Sequence, residues 1–135
     1  MTKNTLNFNL AGFMAKADEL GKKGEEIARK FLRGEGYQIL AVNWFYDHKE
    51  IDIIARKGDE IVVVEVKSRE GDYYEEPYEA VSSRKIKNLV EAAEAYLLEH
   101  EIDLETRFDV ISIVFEKSGK YELTHFPGAF TPPVN

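Results

Sequence analysis

The chain has 135 residues, 44% of them hydrophobic, which supports one domain with a substantial core and leaves too little for two. It contains no cysteine, which excludes disulfides and thiolate metal sites and is expected of a protein of the reducing cytoplasm. The net charge of −7 argues against broad, non-specific nucleic-acid binding, but leaves room for a local basic surface beside an acidic site.

Residues 1–14 are expected to form a poorly ordered tail. Asn4, Asn7 and Asn9 interrupt its apolar content, so it lacks the unbroken apolar run of a signal peptide. No stretch approaches the length of a membrane span. A single domain is expected over 15–126, and an irregular tail over 127–135, where Pro127, Gly128, Pro132 and Pro133 fall.

From about Ala17 to Arg33 the spacing predicts a helix, with Leu20, Gly24, Ile27, Ala28 and Phe31 on one stripe. Gly24 lies in the stripe, where a missing side chain permits close packing on a sheet. Glu25 falls at the edge of the stripe, about 100° from Gly24, and Glu26 on the solvated side. Gly34 and Gly36 end the helix. Tyr37–Phe45 reads as a strand.

The next stretch is the most informative. Glu50–Arg56 and Glu60–Lys67 are β-branched runs around Lys57-Gly58-Asp59, which predicts a hairpin. Gly58 at the first central position suits a type II′ turn. That register sets Asp52 opposite Glu65 and Glu50 opposite Lys67, all on one face. Two facing carboxylates repel unless a cation lies between them. Hard divalent ions take oxygen ligands and are commonly held by one or two carboxylates. A neighbouring lysine can hold an anion or orient a water, so the pattern points to a metal site that handles phosphate. The structural alternative is a simple Glu50–Lys67 cross-strand ion pair. A three-residue turn would also shift the register by one and separate Asp52 from Glu65.

An acidic, Tyr-rich segment from Gly71 to Tyr78 is expected to be a surface loop near the site. Ser82 or Ser83 caps a second helix running to about Glu99, with Ile86, Leu89, Val90, Ala93, Tyr96 and Leu97 on its stripe. Arg84, Lys85 and Lys87 crowd its first turn, against the helix dipole. Beside a metal site they are candidates for meeting an anionic ligand. Strands follow over Thr106–Glu116 and Lys120–Phe126. His48, His100 and His125 show no ligand spacing and read as ordinary surface or packing residues.

The resulting order is αβββαββ: an α/β (α+β) chain with a central mixed sheet flanked by helices, as in the restriction-endonuclease-like fold. Asp52 and Glu65-Val66-Lys67 resemble the paired motif of PD-(D/E)XK nucleases, although Ile51 stands where those have Pro. The segments Gly21–Ala28, Gly36–Trp44, Glu50–Ala55, Val64–Arg69, Glu79–Val81 and Arg107–Val110 resemble the bacterial YraN family (UPF0102). That family is distantly similar to archaeal Holliday junction resolvases. The resemblance implies that Asp52, Glu65 and Glu25 are metal ligands for Mg2+ or Mn2+, and that Lys67 is the catalytic lysine. Glu50 matches the first acid of the family's Glu-Ile-Asp motif. The function it implies is a metal-dependent endonuclease acting on nucleic acid: DNA in the first place, with branched DNA a candidate substrate. Lys22, Lys23, Arg84, Lys85 and Lys87 are then candidate phosphate contacts. Resolvases act as dimers, which makes a homodimer an expectation from resemblance alone. The competing function is a non-catalytic nucleic-acid or protein-binding module on a nuclease-like scaffold.

Overall fold

A computed structural model describes residues 10–71 and 81–132 of the chain, and side chains from residue 16 onward. The acidic segment 72–80, expected as a loop near the site, lies outside the described residues, as do 1–9 and 133–135. The elements are α1 (Leu10–Gly34), β1 (Gln38–Tyr46), β2 (Lys49–Lys57), β3 (Glu60–Glu70), α2 (Ser83–Glu99), β4 (Glu105–Phe115) and β5 (Tyr121–Phe130). The order is the expected αβββαββ. The five strands form one mixed sheet in chain order. Only β3 and β4 run parallel, joined by the crossover through α2; the other neighbours are antiparallel. No helix among the described residues is long and apolar enough to cross a membrane.

Each helix covers one face of the sheet. Ala28 and Leu32 of α1 bury Ile53, Ala55, Val62, Val64, Ile111, Ile113 and Phe115. Leu89, Ala92, Ala93 and Tyr96 of α2 bury Ile51, Ile54, Ile61, Val63, Phe108 and Val110 on the other side. These assignments follow the period of two expected of strands buried on both faces, with one exception. Ile51 and Ile53 should share a face, yet they enter different clusters. The alternation of β2 therefore slips at Asp52.

Two element ends differ from the sequence expectation. α1 begins at Leu10 rather than near Ala17, taking in residues expected in the tail. Leu10, Ala11, Met14 and Ala15 are all good helix formers, which continues the helix backwards. β5 runs on to Phe130, through Pro127 and Gly128, where an irregular tail was expected. β5 is an edge strand, where proline's missing N–H forfeits no ladder bond. The pairing also shifts there, from Val110↔Phe126 to Phe108↔Phe130.

Gly24 is buried against β3. A Cβ at this position would fall 1.8 Å from Ser68 Oγ and 3.1 Å from Ser68 Cβ. The close approach brings the next residue, Glu25, within reach of the sheet. Gly24→Ala is expected to destabilise the protein by about 1–3 kcal/mol, because the added carbon overpacks the contact. Ser68→Gly in the same chain should return part of the loss. Denaturant unfolding of the three variants checks this; an equal loss with and without Ser68 would refute the contact as its cause.

Candidate metal and phosphate site

The site is built at the β2–β3 hairpin, on the side away from its turn. Lys57 pairs with Glu60 across a two-residue loop, with Gly58 at φ +60 and Asp59 on the negative side, as a type II′ turn requires. The register Ile53↔Val64, Ile54↔Val63, Ala55↔Val62 is the one expected. It stops at Ile53↔Val64, so neither the Asp52–Glu65 nor the Glu50–Lys67 rung is formed. Asp52 turns instead to take the Val66 N–H on Oδ2 at 2.9 Å. A side-chain oxygen thus accepts a backbone proton where the regular hydrogen-bonded ladder has ended, and the strands part at this point.

β1 is disturbed at the same level. Asn43 lies opposite Asp52, between the pairs Val42↔Ile53 and Trp44↔Ile51, and has φ +46. Asn tolerates this left-handed conformation better than most residues. Its amide Nδ2 donates to Glu25 Oε1 at 2.9 Å and to Glu50 Oε2 at 3.1 Å. One side chain therefore ties α1 to β2. Asn43 was missed as a site residue. The available signal was an Asn inside a strand, a type depleted there.

Asp52 and Glu65 come together despite the missing rung, and both are buried. Burial, then the charge of Glu65, pushes the Asp52 carboxyl from 3.8 up to about 8; the charge of Glu25 adds to this, while the Val66 N–H opposes it. Burial also raises Glu65, against the pull of Lys85, of its contact with Asp52, and of Lys67. Without a cation the pair holds a proton near neutral pH. Glu65 Oε1 is buried and, among the described residues, has no hydrogen-bond partner. An orphaned carboxylate oxygen beside a second buried carboxylate fits a hard cation, whose preferred ligands are such oxygens.

Of the other expected site residues, Glu25, Lys67 and Lys85 lie close enough for their charges to act on this pair. Lys67 is half-buried on β3, two residues beyond Glu65, close enough for its charge to act on that carboxylate. Glu25 is half-buried and bound to Asn43, whereas Glu26 is exposed, as the helix phase predicts. Glu25 does not complete a cage: among the described residues no three His, Asp or Glu side chains converge as a ready-made metal cluster. Glu50 accepts from Asn43, and the alternative Glu50–Lys67 ion pair is not formed. Lys85 reaches inward, with Nζ 3.5 Å from Glu65 Oε2. Arg84 and Lys87 are exposed on the same turn of α2. Lys22 is exposed, 3.9 Å from Asp18, and Lys23 lies over the Phe115 ring at 5.5 Å.

His125 packs edge-on against the Phe31 and Tyr37 rings, as expected of a packing residue, and also joins a buried polar network. Its Nε2 lies 2.7 Å from Oδ2 of Asp109, which is fully buried. Arg107 donates to both oxygens of Asp109 at 2.9 and 3.0 Å, and Gly128 N to Oδ1 at 2.9 Å. The Arg107 guanidinium also reaches Glu60 and the Tyr37 hydroxyl. This network ties β3, β4, β5 and the α1–β1 connection together, toward the hairpin turn.

Comparison with known proteins agrees with the segments that carry the resemblance. The model of the Uncharacterised protein family UPF0102 matches residues 24–113. A UPF0102 protein of Parabacteroides distasonis is 42% identical over 120 residues, covering 89% of this chain and 98% of the relative. One from Bacteroides thetaiotaomicron is 44% identical, covering 90% and 99%, and one from Porphyromonas gingivalis 45%, covering 87% of each. The matched region spans both carboxylates, Lys67, Asn43 and the Arg107–Asp109 pair, and the chain belongs to the UPF0102 family.

Proposed function

We propose that this chain is a metal-dependent endonuclease that hydrolyses phosphodiester bonds in nucleic acid, with DNA as its substrate. The observation that carries the proposal is the buried Asp52–Glu65 pair, with an orphaned oxygen on Glu65 and Lys67 beside it. Asp52 and Glu65 would hold Mg2+ or Mn2+. When bound, such an ion supplies Lewis acidity to a phosphate oxygen and lowers the pKa of a water.

The remaining work falls to the chain's own side chains. The Val66 N–H fixes the orientation of Asp52. Asn43 holds Glu25 and Glu50 around the pair, where their charges add to the attraction for a cation. The Lys67 ammonium orients the attacking water or meets charge developing on the phosphate. Lys22, Lys23, Arg84 and Lys87, all exposed, would contact flanking phosphates, which position the substrate without reading its sequence. Because the overall charge is −7, binding should be local and fall steeply with salt.

A non-catalytic binding module on the same scaffold is the second reading. The lack of a third converging carboxylate among the described residues favours it. Incubation with linear, flapped and four-way DNA in Mg2+ or Mn2+ separates the two. Cleavage is expected, and Lys67→Ala should reduce it by roughly 10²-fold, the scale of losing one aligned donor. Binding measured in Ca2+ should change much less. Binding without cleavage of any substrate would favour the module, and equal cleavage by Lys67→Ala would remove Lys67 from the mechanism.

A further inference from the structure

The first turn of α2 contains no acid and three cations, an arrangement that opposes the helix dipole. The three cations are not equivalent. Arg84 and Lys87 are exposed, whereas Lys85 is half-buried with Nζ 3.5 Å from Glu65 Oε2. Ser82, the N-cap, accepts the Lys85 backbone N–H on Oγ at 3.2 Å and so fixes where this side chain leaves the helix. The Glu65 side chain is 8% exposed, and that of Lys85 40%. The carboxylate therefore has nowhere to turn, while the ammonium borders solvent on a flexible stem.

A divalent cation on Asp52 and Glu65 would repel an ammonium at that distance. We propose that Lys85 is the resident counter-ion of Glu65, displaced when a divalent cation binds, and that the released ammonium then becomes a phosphate contact at the edge of the site. This rests on the cation-site reading above. It accounts for one of the three cations in the helix's first turn, Lys85. It also makes cation and polyanion binding mutually reinforcing, since any such coupling must act in both directions. Lys67 has a different place: it lies on the same strand as Glu65 and stays beside it.

Calorimetric Mn2+ titration, melting in EDTA, and binding of a fluorescent DNA duplex in EDTA and in Ca2+ test the idea. The proteins are wild type, Lys85→Met, and Lys30→Met as a control for the lost charge on an exposed part of α1. Lys85→Met should bind Mn2+ about fivefold more tightly, the factor a partly exposed ion pair contributes. It should melt at a lower temperature in EDTA, and should lose the Ca2+-dependent gain in DNA affinity that wild type and Lys30→Met retain. Unchanged or weaker Mn2+ binding by Lys85→Met, with wild type binding normally, would overturn the counter-ion role alone. Retention of the Ca2+-dependent gain by Lys85→Met would overturn the phosphate role. Failure of wild type itself to bind Mn2+ would overturn both this proposal and the cation site.

Discussion

Asp52→Asn is expected to stabilise the metal-free protein at pH 8 by about 2–4 kcal/mol, on the scale reported for replacing unfavourable buried charges. In the folded chain Asp52 is pushed up to about 8, against an ordinary 3.8. Between those values the folded protein holds a proton that the unfolded chain has released. Stability is therefore fully present below about pH 4, and is lost as pH rises through 8. At about 1.4 kcal/mol per pH unit the ideal loss is on the order of 6 kcal/mol, part of which structural relaxation recovers. Asn keeps an oxygen for Val66 and does not titrate, so the variant should show a flattened slope. Melting in EDTA from pH 5 to pH 9 measures this directly. With Mn2+ most of the gap should close: wild type gains about 2.7 kcal/mol at a hundredfold excess over Kd, and the variant does not. An unaltered pH slope in Asp52→Asn, or an unaltered Mn2+ response, would remove Asp52 from the site.

Asp109→Ala should lower stability by about 3–5 kcal/mol, the range for breaking a buried ion pair on one side. Burial by itself would raise the Asp109 carboxyl, but hydrogen bonds from His125, Arg107 and Gly128, with the Arg107 charge, hold it below its ordinary value. Its contribution is accordingly present above the unfolded value and is lost as pH falls through the folded one. Removing the carboxylate takes two acceptor oxygens from the partly buried Arg107 guanidinium and unties β4 from His125 and Gly128 of β5. Urea unfolding at pH 7 is the measurement. A loss under 1 kcal/mol would show that Arg107 finds compensation from Glu60 and Tyr37.

These expectations draw unequally on sequence and structure. The hairpin register was legible because Gly58 selects a two-residue turn and the turn then dictates every pair beyond it. The phase of α1 was legible because Gly24 marks the contact line, which placed Glu25 inward and Glu26 outward. Counting rungs could not reveal where the ladder ends, because that depends on the Asp52 side chain reaching Val66 N and on Asn43 leaving the extended region. Asn43 itself joins residues 18 and 7 positions away, a link that no local pattern encodes. Pro127 read as a strand breaker because sequence does not say which strand lies at an edge. The Asp109–His125 contact was hidden for a related reason: it arises from antiparallel pairing of β4 with β5 rather than from spacing along either strand. The cationic first turn of α2 was visible as an anomaly, but its contact with Glu65 required the crossover to be placed in space.

The same local irregularities bear on self-association. An open sheet presents two edges, and an uninterrupted edge is a template for strands from other chains. Here β1 carries a register shift between Ile39 and Ala41 and the left-handed Asn43. β5 carries Pro127 and a second shift, between Phe108 and Val110 on its partner. Both margins are therefore bent and broken where an incoming strand would need a straight row of donors and acceptors. The distortion that joins α1 to the carboxylate site also guards the sheet against amyloid-like growth, so restoring regular β geometry at Asn43 would trade solubility as well as site geometry for a smoother strand.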